Sequence, residues 1–223
     1  MRRTLPLILV LAAAAAPAAP DALRVRASPA VAPYVAAAGA PFERASGRTL
    51  VVETAPLESA ASADGADLVV GADAELHRII ESGASRPDLD LDVARIPWVL
   101  VGPPGAAAPD VHALEREGAR VRVLGGALGR QARRSLQGVA SSRLAGLPAG
   151  AGPLRLEAGE TAVVPLSLAG PGPVSPTAIP PFTARALGVR ASPRTEAARA
   201  FVEFLAGETG NAAFRGCGRP EVP

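Results

Sequence analysis

The sequence contains no lysine, a single cysteine and very few aromatic residues. Only 3% of its 223 residues are aromatic, so a core must be built mostly from alanine, valine and leucine. Cys217 has no second cysteine to pair with, which excludes an internal disulfide. The formal charge is only +2, and no arginine cluster is interleaved with aromatic residues, so we expect no nucleic-acid binding.

Long apolar runs are also missing, apart from one near the N-terminus. Arg2 and Arg3 precede an apolar run over residues 5–16, and the small-residue stretch "APAAPDA" follows. This layout is typical of a secretory signal peptide. The run is shorter than the roughly 20 residues of a membrane-spanning helix. We therefore predict a signal peptide over residues 1–22 and a periplasmic or secreted mature chain that does not span a membrane.

Strands and helices alternate along the mature chain, and residues 65–83 show the repeating unit. A strand over 68–70 runs through a small turn into an amphipathic helix over 73–82, for which Asp73 is a candidate N-cap. Ser28 similarly follows a strand over 23–27, and Gly125-Gly126 follows a strand over 120–124. This alternation indicates an α/β fold with mainly parallel sheets and flanking helices.

Two interruptions divide the chain into lobes. Residues 93–101 are predicted to form one strand, in which Pro97 marks an edge position or a bend, after a solvated loop that holds Asp88, Asp90 and Asp92. The sequence "GPPGAAAPD" then breaks the pattern, and a proline-rich return comes later. We assign residues 23–103 to lobe 1 and residues 104–168 to lobe 2, and residues 169–223 to the return crossover and the C-terminal helices of lobe 1.

The helices that follow strands suggest an anion site. A helix start offers unpaired N–H groups and a partial positive charge. Ligands of open α/β sheets bind at the carboxyl ends of the strands, so a cleft between two lobes would collect several helix starts.

Other kinds of site have little support in the sequence. His77 and His112 lack neighbouring ligands for a metal, and "GGALG" lacks the spacing of a dinucleotide fingerprint. No nucleophile–base motif is present, so we expect neither an enzyme nor a cofactor.

Several stretches share their order and character with one protein family. They are "LRVRASPAVAPYVAAAGAPFERASGRTLVVE", "ADGADLVVGADAELHRIIESG", "IPWVLVGPPG", "GETAVVPLSLAG" and "AARAFVEFLAGETGNAAFRGCG". In these residues the chain resembles the type 2 periplasmic solute-binding proteins, and most closely their molybdate-binding branch. The resemblance implies two lobes joined by two crossovers, with an oxyanion such as molybdate or tungstate held between them by neutral hydrogen bonds. It also implies delivery to the permease of an ABC importer, and we expect a monomer.

The resemblance assigns ligand contacts in lobe 1 to two serines. Ser28, with Ala27 beside it, matches the first ligand serine of the family, although it could merely cap its helix. Ser59 is the best match to the second serine, in a loop that is shorter or shifted here. The alternative for Ser59 is an ordinary solvated loop residue.

In lobe 2 the resemblance points to backbone donors in a glycine-rich turn. Gly125, Gly126 and Leu128 are the candidates, although such a turn could serve only as a turn. The tyrosine that the family has in the next crossover is missing, and Ser167 is the candidate ligand residue there. This departure leaves phosphate or sulfate as alternative ligands. It also leaves open a sensory or scaffold protein that kept the fold and lost the ligand.

Overall fold

The computed structural model describes residues 22–114, 118–136, 144–147 and 154–216, which form two five-stranded sheets with flanking helices. The strands are β1 (Leu23–Ala27), β2 (Leu50–Thr54), β3 (Leu68–Ala72), β4 (Ser85–Ile96), β5 (Trp98–Val101), β6 (Arg120–Leu124), β7 (Leu144–Leu147), β8 (Glu160–Pro165), β9 (Val174–Pro176) and β10 (Phe182–Val189). The helices are α1 (Ala32–Ser46), α2 (Asp73–Glu81), α3 (Gly126–Ser135), α4 (Thr195–Ala206) and α5 (Glu208–Gly216). The predicted signal peptide, apart from its last residue, and Cys217 lie outside the described residues.

Each sheet belongs to one lobe, and the α/β class is confirmed. Lobe 1 has the strand order β2-β1-β3-β10-β4, and lobe 2 has the order β7-β6-β8-β5-β9. In each sheet four strands run in one direction and one runs against them, namely β10 between β3 and β4 and β5 between β8 and β9. The sheets are therefore mixed, because the strands next to the crossovers enter or leave a lobe without an intervening helix.

Pro97 is the point at which the chain first changes lobes. It separates β4 of the first sheet from β5 of the second, so the single strand predicted over 93–101 is two strands with a bend between them. The chain returns between β9 and β10. The strands therefore change sheet at Pro97 and after Pro176, and not at the residue boundaries 103 and 168 given from the sequence.

The acidic stretch before Pro97 is a strand and not a solvated loop. Leu89 and Val93 are both 4% exposed and face the core, whereas the acidic residues between them alternate toward the outside of β4. Asp90 accepts hydrogen bonds from Arg185 of β10 at 2.6 and 2.7 Å. These ion pairs explain why an edge strand can hold three aspartates.

The core continues through the crossovers from one lobe into the other. Trp98, which is 2% exposed, packs edge-on against Phe182 with ring centroids 5.7 Å apart, as expected for a core residue. This pair places aromatic packing at both connections between the lobes. None of the helices in the described ranges is long and apolar enough to cross a membrane.

Candidate functional site

Ser28 directly follows β1, at the carboxyl end of that strand. Its N–H donates to the Val70 carbonyl of β3 at 2.9 Å, which fixes the turn to the neighbouring strand. The residue is 0% exposed, and its Oγ has no hydrogen-bond partner among the described residues. Buried hydroxyls are normally satisfied, so this atom marks a position that a ligand could complete. Ala27, also 0% exposed, accepts a hydrogen bond at its carbonyl from Ala55 at 3.0 Å.

Ser28 does not cap its helix through its side chain. Helix α1 begins at Ala32, and the Ser28 carbonyl, not the hydroxyl, accepts from the N–H groups of Val31 and Ala32 at 2.9 and 2.8 Å. The capping interpretation of the hydroxyl is therefore wrong.

The prediction that Asp73 is the N-cap of α2 is also wrong. Asp73 is the first residue of α2, and Ala72 occupies the N-cap position. The Asp73 carboxylate pairs instead with Arg185 at 3.1 Å.

Glu75 in the first turn of α2 adds a carboxyl group that the sequence analysis missed. It is 7% exposed, and its Oε2 accepts from the Ala72 N–H at 3.0 Å. Burial raises the pKa of the Glu75 carboxyl, the Ala72 N–H and then the Ser28 hydroxyl lower it by less, and the Glu58 carboxylate adds the smallest effect, a rise. The Ser28 hydroxyl therefore lies near the Glu75 carboxyl, outside the limits of hydrogen-bond geometry.

The glycine-rich turn of lobe 2 brings the start of α3 to the same cleft. Gly126 has a φ of 72°, a conformation that glycine adopts readily, and α3 begins there. The Gly125 N–H donates to the Leu147 carbonyl of β7 at 2.7 Å, so it is used within lobe 2. Leu128 is 1% exposed and packs into the core. Ala127, which the sequence analysis did not single out, presents its N–H across the cleft.

Two hydrogen bonds join the lobes directly at this cleft. The Glu58 carboxylate of lobe 1 accepts from the Ala127 N–H at 2.5 Å, and its other oxygen lies 3.7 Å from Arg130 Nη2. Ser167 Oγ donates to the Ala30 carbonyl at 2.6 Å. The Ser28 turn and the start of α3 therefore belong to one interlobe region, with Ser167 beside it.

Ser59 is placed differently from the other predicted residues. It is exposed, and its hydroxyl lies 3.0 Å from the Ser62 hydroxyl at the 3₁₀ turn Ala60–Ala63. Its neighbour Glu58 reaches the cleft instead. No local pattern in the sequence distinguishes Glu58, because its partner is 69 residues away along the chain. The hydrogen bond of Glu75 could have been predicted from the sequence, since a glutamate at the third helical position commonly accepts from the N-cap N–H.

The described ranges contain no group of three or more histidine, cysteine or acidic side chains arranged to hold a metal ion. His77 lies on the exposed face of α2, where its Nε2 is 3.1 Å from Glu81. The polar groups at the cleft are thus hydroxyls, backbone N–H groups, two carboxyls and the Arg130 guanidinium. Such a set can bind an anion through its donors, provided that the carboxyls are protonated or turned away.

The sequence matches no protein-family model and no curated protein, but its fold matches solved structures. The periplasmic molybdate-binding protein of Azotobacter vinelandii is 16% identical, with a TM-score of 0.71 over 88% of this chain and 97% of that one. The sulfate-binding protein SubI of Mycobacterium tuberculosis is 17% identical, with a TM-score of 0.64 over 91% and 87% of the two chains. The OxyR regulatory domain of Pseudomonas aeruginosa is 16% identical, with a TM-score of 0.57 over 83% and 97%.

These similarities define the fold of the chain. It has the two-lobed α/β fold of the type 2 periplasmic binding proteins, as the resemblance in the sequence predicted. At identities of 16% and 17%, the ligand of a matched protein does not transfer to this chain without further support.

Proposed function

We propose that the chain is a periplasmic solute-binding protein that holds a small tetrahedral oxyanion between its lobes. The observation that carries this proposal is the buried Ser28 hydroxyl, which has no hydrogen-bond partner in the described structure and belongs to a turn whose Ala30 carbonyl accepts from Ser167 of lobe 2. A hydroxyl and helix-terminal N–H groups can hold an anion without cationic side chains, because the helix dipole favours negative charge.

Molybdate or tungstate is the proposed ligand, with phosphate or sulfate as alternatives. The resemblance in the sequence supports molybdate, and the matched structures include a molybdate-binding and a sulfate-binding protein. The proposed ligand contacts are Ser28, the N–H groups of Gly126 to Leu128, and Ser167 after it releases the Ala30 carbonyl. Ser59 and Gly125 are less suited, since their polar groups are exposed or bonded elsewhere.

Localisation and partners follow from the same proposal. The predicted signal peptide supports export, and the fold is shared with periplasmic proteins. The partner would then be the permease of an ABC importer, which receives the anion from a monomeric binding protein. An enzymatic role is not proposed, because the matched structures are named as binding and regulatory proteins.

A ligand-free regulatory or scaffold protein is the second candidate. The observation that favours it is the Glu58 carboxylate, which already occupies the Ala127 N–H at the start of α3. The similarity to the OxyR regulatory domain shows that this fold also occurs in a regulatory domain.

Thermal unfolding in the presence of four anions tests the proposal. The purified chain is heated with molybdate, tungstate, sulfate or phosphate, with sodium chloride at matched ionic strength as the control. A ligand at 100 times its Kd stabilises the folded state by about 2.7 kcal/mol, which raises Tm clearly. We expect at least one tetrahedral dianion to raise Tm, whereas no effect from any of the four would contradict oxyanion binding and favour the regulatory candidate.

A further inference from the structure

We infer that Glu58 is an internal competitor for the oxyanion, whose carboxylate occupies the start of α3 in the ligand-free protein and must leave when an anion binds. This inference rests on the proposed function and adds a residue that determines affinity and specificity. It also explains why a site built for an anion contains an acidic side chain.

The contact between Glu58 and α3 is that of a bound anion. Its Oε1 accepts from the Ala127 N–H at 2.5 Å, and its Oε2 lies 3.7 Å from Arg130 Nη2. A carboxylate at a helix start gains from the unpaired N–H groups and from the helix dipole, as an external oxyanion would. Helix α3 has ten residues, so its dipole is well developed at this end.

A second feature places the contact inside the proposed ligand site. The Ser28 hydroxyl is 0% exposed and has no hydrogen-bond partner within the described part of the chain. Ala30, two residues after Ser28, accepts from Ser167 Oγ of lobe 2 at 2.6 Å, so the Ser28 turn and the start of α3 both lie at contacts between the lobes.

Glu58 can leave without a complete separation of the lobes. Its side chain is 36% exposed, and it precedes the short 3₁₀ turn Ala60–Ala63 in a loop. A second hydrogen bond between the lobes, from Ser167 to the Ala30 carbonyl, does not involve Glu58. A movement of the loop alone would thus expose the Ala127 N–H to an anion, and the release of the Ala30 carbonyl by Ser167 is a separate step.

The competition has a consequence for specificity. A carboxylate carries one negative charge, so an entering anion must interact with the donors more strongly than a carboxylate does. Tetrahedral dianions satisfy this condition, because they carry two charges and four acceptor oxygens. Chloride and formate do not, and we expect the wild-type protein to exclude them.

Titration calorimetry of Glu58 variants tests the inference. Glu58→Gln keeps the size and one acceptor oxygen but removes the charge, and Glu58→Ala vacates the position. The control is Glu81→Gln, which removes a carboxylate at the exposed end of α2. Molybdate, tungstate, sulfate, phosphate and formate are titrated into each purified protein. We expect both Glu58 variants to bind the preferred dianion at least about tenfold more tightly than wild type, with no change in the control.

The outcomes separate this inference from the proposed function. Binding by the variants but not by wild type would support the competition strongly. If wild type binds a dianion and the Glu58 variants bind it equally or more weakly, the competition is overturned while the oxyanion function stands. If no protein in the series binds any anion, both are overturned.

Discussion

Replacement of Ser28 by alanine is expected to change stability and ligand affinity in opposite directions. In the ligand-free protein the Ser28 hydroxyl is fully buried and finds no partner among the described residues. Burial of an unsatisfied hydroxyl costs about 1–3 kcal/mol, and alanine removes this cost while leaving only a small void. We therefore expect Ser28→Ala to stabilise the ligand-free protein by about 1 kcal/mol, or about 2–4 °C in Tm.

The bound protein should respond in the other direction. A hydrogen bond from a hydroxyl to an anion contributes about 1.5–3 kcal/mol, which the alanine variant loses. That loss corresponds to a Kd roughly 10- to 150-fold higher. Opposite signs of the two effects are the signature of a polar group kept for a ligand, because a purely structural serine would lose stability when truncated.

Two assays on the same protein samples measure these effects. Urea unfolding without anion gives the stability change, and calorimetric titration with the anion that raises Tm most gives the change in Kd. Ser46→Ala is the control, since Ser46 Oγ donates to the Phe42 carbonyl at 2.8 Å near the end of α1, outside the cleft. It should lower stability slightly and leave Kd unchanged. A Ser28→Ala protein that is less stable and binds as tightly as wild type would refute the reasoning.

Two further predictions concern the buried residues of lobe 1. Because the pKa of the Glu75 carboxyl is raised in the folded state, its contribution to stability is greatest at low pH and is lost as pH rises above the unfolded value near 4.5. In urea titrations, Glu75→Gln should therefore gain stability relative to wild type between pH 4 and pH 8, and a stability difference that stays constant with pH would count against the raised pKa. Phe201 is 0% exposed and packs edge-on against Phe42 with ring centroids 4.8 Å apart. We therefore expect Phe201→Ala to lower the free energy of unfolding by about 3–5 kcal/mol. Leu91→Ala at a 41% exposed position is the control, and an equal loss in both variants would disprove the packing account.

The position of the cleft could be predicted from local sequence. Ser28 and Gly126 each follow a short apolar strand and precede a helix, and the carboxyl ends of parallel strands meet at one edge of a sheet. Both turns lie next to hydrogen bonds between the lobes, at Ala30 and Ala127, and their role in ligand binding stays a prediction. The same local reasoning wrongly predicted Asp73 as an N-cap, because the Asp73 carboxylate forms an ion pair with Arg185 of β10, 112 residues away along the chain.

The contents of the cleft could not be predicted in the same way. Glu58 lies in a loop with no periodicity, and its partner Ala127 belongs to the other lobe. The acidic stretch of β4 was misassigned for a related reason. Its aspartates suggest solvent, yet they are balanced by arginines on neighbouring strands and helices, such as Arg185 and Arg199. Contacts of this kind depend on the tertiary fold and leave no trace in a short window of sequence.

A crystal structure with tungstate tests the central claim most directly, since tungsten scatters X-rays anomalously and its position can be found without bias. The account predicts one strong anomalous peak between the two lobes, within hydrogen-bond distance of Ser28 Oγ and of the N–H groups at the start of α3, with the Glu58 carboxylate displaced. An empty cleft at saturating tungstate, with Glu58 still bonded to Ala127, would contradict it, as would a peak bound only on the outer surface.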